Sequence, residues 1–166
     1  MSNCLVIIDV QKGFMLNANT LEIPKKIVAL LQKKSFDHIV CTQFYNEDGS
    51  PFDILMGWKD LKDSASQALA PEIEAISEKV FRKRLYSCFI PEFEEFIRDN
   101  AIDKLYFVGI DTDCCVLQSC TDCFERNIPF EVLINYCASS GGQYSHNAGI
   151  AVMERTIGKN MINHDI

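Results

Sequence analysis

Apolar and polar positions fall into blocks along the chain, and the blocks separate two kinds of element. "CLVII" (4–8), "KLYFVG" (104–109) and "FEVLI" (130–134) are near-continuous apolar runs rich in β-branched residues, as expected of strands covered on both faces. "HIVCT" (38–42), "KVF" (79–81) and "NMINH" (160–164) are further strand candidates. Between them lie helical spacings: about 22–34, where Ile23, Ile27, Leu30 and Leu31 share a face; 91–100, opening with Pro91; 113–126; and 145–157. The βαβα alternation predicts an α/β, three-layer Rossmann-like fold. It would hold a six-stranded parallel sheet with helices on both faces and right-handed crossovers, for which the strand order 3-2-1-4-5-6 is adopted. One connection breaks the rhythm. From Phe44 to about Ala70 the chain is polar and mixed, with Gly49, Ser50, Pro51 and Gly57, which predicts a functional loop carrying a short helix near 61–69.

Length and charge narrow the picture. With 166 residues, 48% of them hydrophobic, the chain reads as one domain over 1–166 with a substantial core. A net charge of −7 argues against nucleic acid or an anionic membrane surface as partner, because phosphate binding needs a local excess of Lys and Arg. The one basic knot, "FRKR" at 81–84, is short. No apolar run approaches the roughly 18 to 20 residues of a membrane span, and the N-terminus has no signal-peptide pattern, so the expected location is cytoplasmic. The eight cysteines include several inside apolar runs, where Cys acts as a small hydrophobe, and the expectation is reduced, buried thiols.

Ligands of open parallel sheets sit outside the carboxyl ends of the strands, near the point where strand order reverses. That rule singles out Asp9 after the first strand, Lys83 after the third, and "GIDTDCCV" at 109–116 after the fourth. Each has a plain alternative: Asp9 as a turn residue, Lys83 as a solvated charge, Cys115 as a buried thiol, Asp113 as the N-cap of the next helix. Together they make a chemistry. A cysteine in the first turn of a helix, beside a lysine, has its pKa lowered, and Asp9 can take the thiol proton and pass it to a leaving group. Backbone N–H groups of the same turn would form an oxyanion hole. Other cysteine readings are weaker. "CTDCFER" (120–126) has a Cys-five-Arg spacing but no glycine to cradle phosphate, and Cys114, Cys115, Cys120 and Cys123 are not spaced as a metal knuckle. A redox pair at Cys114 and Cys115 stays open.

Four segments, "LVIIDVQKGF" (5–14), "KRLYSCF" (83–89), "GIDTDCCV" (109–116) and "VLINYCASSGGQYSHNAGIAVM" (132–153), resemble the isochorismatase-like cysteine hydrolases, the superfamily of nicotinamidases and N-carbamoylsarcosine amidase. The resemblance implies an Asp9, Lys83 and Cys115 triad, a cis peptide between Ile110 and Asp111, and an oxyanion hole from the backbone N–H groups of Asp111 and Cys115. It implies hydrolysis of a small-molecule amide or related C–N bond through a thioester on Cys115, without a cofactor. Vinyl ether hydrolysis is the alternative reaction, and a non-catalytic, redox-sensing protein the alternative class. Three departures stand out. The loop "TQFYNEDGSPFDILMGW" has no histidine, which disfavours the metal of nicotinamidases; Asp111 stands where the family has a small residue, and is expected to point away from the pocket; Asn135 stands where it has Asp. Phe14, Phe44, Trp58 and Tyr86 are the expected apolar lining of the pocket. The chain is short for the superfamily, so a homo-oligomer, dimer or tetramer, is expected to complete the walls.

Overall fold

The computed structural model describes residues 1–166. Six parallel strands form one sheet, as the alternation predicts, in the expected order β3-β2-β1-β4-β5-β6. They are β1 (Ser2–Ile8), β2 (His38–Phe44), β3 (Lys79–Lys83), β4 (Ile102–Ile110), β5 (Phe130–Ala138) and β6 (Ile162–Asn163). The helices are α1 (Ala18–Leu30), α2 (Pro51–Ile54), α3 (Ser64–Gln67), α4 (Pro71–Ile76), α5 (Pro91–Asp99), α6 (Leu117–Glu125) and α7 (Gly142–Met153). None is long and apolar enough to cross a membrane.

The two-residue period of a strand explains why the central strands are apolar throughout. Cys4, Val6 and Ile8 of β1, with Leu105 and Phe107 of β4, enter one core cluster with Phe93 of α5, Cys120 and Cys123 of α6, and Met153 of α7. Leu5 and Ile7, with Tyr106, Val108 and Ile110, enter the opposite cluster with Ile23, Ile27 and Leu30 of α1 and Ile73 of α4. Each such side chain, fully buried, contributes about 1.5–3 kcal/mol of hydrophobic stabilisation. The buried cysteines are therefore core material, and all eight thiols are free.

Element boundaries shift where local hydrogen bonding overrides the apolar spacing. α1 begins four residues before the predicted start because Asn17 and Thr20 form a capping box: the Asn17 Oδ1 accepts the Thr20 N–H at 3.0 Å, and the Thr20 Oγ1 accepts the Asn17 N–H at 3.1 Å. Of residues 31–34, predicted helical, 31–33 close instead as turns and the helix has ended. The loop after β2 holds two short helices rather than one, nucleated by Ser50 and Asp63, whose side chains accept the N–H groups of Asp53 and Ser66. β6 keeps only two residues because Lys159–Met161 winds into a 3₁₀ turn.

The β1–β4 register places Gly109 opposite Ile8, at the edge of the ligand-side crevice. Gly109 has φ +123°, and a Cβ there would lie 2.2 Å from the Ile8 carbonyl oxygen. Gly109→Ala should therefore cost at least about 2 kcal/mol of stability in urea unfolding. Gly49→Ala, at φ +82° with open space around it, should cost about 1 kcal/mol. Equal losses at the two sites would contradict the close-approach argument.

Candidate functional site

Three strand ends deliver three groups to one point. Immediately after β1, Asp9 turns the chain with φ +45°, a left-handed conformation that Asp tolerates better than most residues. Its carboxylate is fully buried. Thr42, near the end of β2, fixes it twice: the Thr42 Oγ1 accepts the Asp9 N–H at 3.1 Å and donates to the Asp9 Oδ1 at 2.6 Å. Lys83, the last residue of β3, donates from Nζ to the Asp9 Oδ2 at 2.7 Å and to the carbonyls of Leu85 and Tyr86 at 2.9 Å each. All three ammonium protons thus have acceptors, and neither charged side chain has any exposed surface. Burial alone works against the Lys83 charge, but the Asp9 carboxylate overcomes it and holds the Lys83 pKa above its ordinary value.

The third group follows β4. The peptide bond between Ile110 and Asp111 is cis, and Thr112–Val116 then forms one π-helical turn leading into α6. The Val116 N–H donates to the Asp111 carbonyl at 3.1 Å across five residues, which makes the turn wider than an α turn, and the Cys114 N–H shares that carbonyl at 3.1 Å. α7 presses on this turn. A Cβ on Gly149 would lie 2.8 Å from the Asp113 Cα, and the Thr112 hydroxyl lies 2.7 Å from the His146 Nδ1. Burial pushes the His146 pKa below its ordinary value.

Cys115 is buried on this turn, where the charges of both Asp9 and Lys83 act on its thiol. Burial pushes its pKa well above the usual value; Lys83 opposes the shift and Asp9 reinforces it. The expectation of a lowered pKa is thus reversed, because loss of solvent outweighs the lysine. Cys114 is pushed up to about 12 by burial and by Asp113 and Asp111, with no cation opposing. Asp113 does not cap the helix: the wider turn starts before it, and its buried Oδ1 has no hydrogen-bond partner. Asp111 does not point away from the pocket. Its Oδ1 accepts the Ser140 N–H at 2.6 Å, its Oδ2 accepts the Ser140 hydroxyl at 2.7 Å, and it lines the cavity beside Cys115. Burial raises its pKa to about 6 despite those bonds.

The cavity, about 200 Å³, is walled by Phe14, Phe44, Trp58 and Tyr86, together with Phe52. Phe14 and Trp58 stack at 6.2 Å and 14°, while Phe52 meets Tyr86 and Phe44 edge-on at 5.0 Å each. Buried polar side chains hold this wall. The Asn46 Nδ2 donates to the Trp58 and Asp60 carbonyls at 3.0 Å each, and its Oδ1 accepts the Ser50 hydroxyl at 2.6 Å. The Gln11 amide brackets Phe44, donating to its carbonyl at 2.8 Å and accepting its N–H at 2.7 Å. Hydrogen bonds from Lys59 and Lys62 hold the Asp53 carboxyl well below its usual range and tie α2 to the loop that follows. Asn135 lies elsewhere, on a broader 590 Å³ depression that contains none of Asp9, Lys83 and Cys115; its Nδ2 donates to the His164 carbonyl.

Sequence reasoning missed Thr42, Gln11, Asn46, Phe52 and Ser140. Thr42 was findable by the rule that ranked Asp9, as a polar residue ending a strand; the others act through tertiary contacts that no local pattern marks. The donors present do not fit a histidine-held metal, since no group of three or more His, Cys, Asp or Glu side chains converges.

The family model described as "Isochorismatase domain" matches residues 3–165. A curated relative, the "Secreted isochorismatase effector Isc1" of Phytophthora sojae (strain P6497), is 28% identical over 159 residues, spanning 91% of this chain and 67% of the relative. The fold is similar to the crystal structure of nicotinamidase PncA from Bacillus subtilis, with TM-score 0.79 and 21% identity over 95% of this chain and 97% of that one. It is also similar to N-carbamoylsarcosine amidase from Thermoplasma acidophilum, with TM-score 0.76 and 20% identity over 95% and 94% of the two chains.

Lys83→Met strands a buried carboxylate and should cost about 3–5 kcal/mol in urea unfolding. The double variant Asp9→Asn/Lys83→Met should recover most of that loss, whereas additive losses would show that the charges are not coupled. Asp111 gives a pH test. Its pKa in the fold, about 6, lies above the usual 3.8, so its favourable contribution is complete below 3.8 and is lost as pH rises through 6. The stability of Asp111→Asn relative to the unsubstituted protein should therefore improve between pH 4 and pH 7.5; a constant difference would contradict the burial argument.

Proposed function

The chain belongs to the isochorismatase domain family of hydrolases, and we propose that it cleaves a small-molecule amide or related C–N bond through a thioester on Cys115. One observation carries this reading: the buried Asp9–Lys83 pair and a thiol influenced by both meet beside a small aromatic cavity. Cys115 is a thiol at rest, so its proton leaves as the sulfur attacks. Asp9 takes that proton while the Sγ–carbon bond forms and the carbonyl π pair moves to oxygen. Lys83 offsets the negative charge that develops near the sulfur. The backbone N–H groups of Asp111 and Cys115 hold the oxyanion. Collapse breaks the C–N bond, and Asp9 returns the proton to the departing nitrogen. Water then attacks the thioester with Asp9 again as base, releasing the acid and restoring the thiol.

Two other readings have less support. A redox sensor needs exposed thiolate character, whereas burial raises the pKa of both Cys114 and Cys115. Vinyl ether hydrolysis of a dicarboxylate would want cations at the wall, and no Lys, Arg or His lines the cavity. A homo-oligomer is part of the proposal: Leu16 and Met56 line the cavity yet are exposed, as are Ile54 and Leu55 beside them, so the mouth has apolar surface for a second copy to cover.

A panel of small amides, read by ammonia release, tests the reaction. Cys115→Ala and Asp9→Asn should each lose at least about a thousand-fold in kcat, and Thr42→Val about ten-fold with KM little changed. Hydrolysis that survives Cys115→Ala would rule out the covalent route.

A further inference from the structure

Asp111 places a charge where charge is costly. The carboxylate is largely withdrawn from water on the wall that also holds Cys115, and only Ser140 bonds to it. Those two bonds use half of its roughly four acceptor positions. Nothing in the wall neutralises it, since no lysine, arginine or histidine lines the cavity. The nearby Lys83 is already spent on Asp9 and two carbonyls. A second carboxylate, Asp60, joins the lining. The remaining walls are the rings of Phe14, Phe44, Phe52, Trp58 and Tyr86, whose faces carry the negative side of an aromatic quadrupole. Carboxylates, ring faces and missing cations all favour the same kind of occupant.

We infer that this cavity selects an organic cation: a small amide whose non-reacting end carries a protonated amine or alkylated ammonium, paired with Asp111 and enclosed by the rings. The inference rests on the amide hydrolase reading for the reaction, but not for the binding. It assigns Asp111 as a specificity-determining residue, distinct from the groups that transfer protons. It also explains why a carboxylate sits beside a site that must stabilise an oxyanion: a bound cation neutralises it before the reaction begins. Anionic substrates would meet Asp111 and Asp60 with no compensating charge. The raised pKa of Asp111 accords with a carboxylate that lacks its partner until a ligand arrives.

Trp58 is the only tryptophan in the chain and lines the cavity, so its fluorescence reports occupancy. Choline, its uncharged isostere dimethylbutanol and the anion dimethylbutyrate would be titrated at mildly alkaline pH into the Cys115→Ala protein, where turnover cannot interfere. Choline should bind at least about ten-fold more tightly than dimethylbutanol, and dimethylbutyrate most weakly. Asp111→Asn on the same background should abolish the preference for choline, and Asp111→Glu should restore part of it. Equal affinity for choline and its uncharged isostere would overturn the inference, as would a ten-fold preference that survives Asp111→Asn. The comparison among the three ligands stands even where a substitution fails to fold. A choline preference without amide hydrolysis would sink the reaction and keep the cation site; hydrolysis without the preference would do the reverse.

Discussion

The whole site depends on one ion pair placed where water cannot reach it. Lys83 and Asp9 lie 2.7 Å apart with no exposed surface on either side chain, and every remaining ammonium proton is given to a backbone carbonyl. Removing two charges from water costs several kcal/mol per ion, which their attraction repays only when geometry and hydrogen bonding are nearly complete. That requirement reaches into the fold. It fixes the ends of β1 and β3 relative to each other across β2, uses Thr42 as a clamp, and holds the segment after β3 through the Leu85 and Tyr86 carbonyls. Tyr86 then forms part of the aromatic wall, so the ion pair also positions the pocket.

The thiol gains its meaning from this pair. Burial raises the Cys115 pKa well above the ordinary value, and Cys114, less buried and raised to about 12, has neither Asp9 nor Lys83 acting on it. A cysteine that stays protonated is protected from adventitious oxidation and alkylation. In the proposed reaction it acts only where a base is in place, and Asp9 is that base. Reactivity is then conditional on a carbonyl positioned to receive the sulfur, which suits a small cavity more than a general thiol reagent. In the proposed cation site, Asp111 adds a second condition, concerning the charge of what enters.

Much of this was legible in the sequence, for identifiable reasons. Strand identity and the parallel sheet followed from near-continuous apolar runs alternating with helical spacing, and the adopted strand order, which the sheet has, placed Asp9, Lys83 and the 109–116 turn at one crevice. What the sequence hid depends on distance in the chain or on solvent. The capping box of Asn17 and Thr20 moved the start of α1 against an apolar pattern that began later. The π turn displaced Asp113 from its expected cap. The contact of Asp111 with Ser140 spans 29 residues, so nothing local indicated that its carboxylate would turn into the wall. The direction of the Cys115 shift depends on burial, which no spacing rule reports.

Acyl transfer from p-nitrophenyl acetate tests whether Cys115 attacks as a nucleophile with Asp9 taking its proton. A burst of p-nitrophenolate equal to the enzyme present is expected, with an acetyl group mapped by peptide mass spectrometry to Cys115 and loss of both in Asp9→Asn. Acetylation spread over the other cysteines, or a burst unchanged by Asp9→Asn, would contradict it.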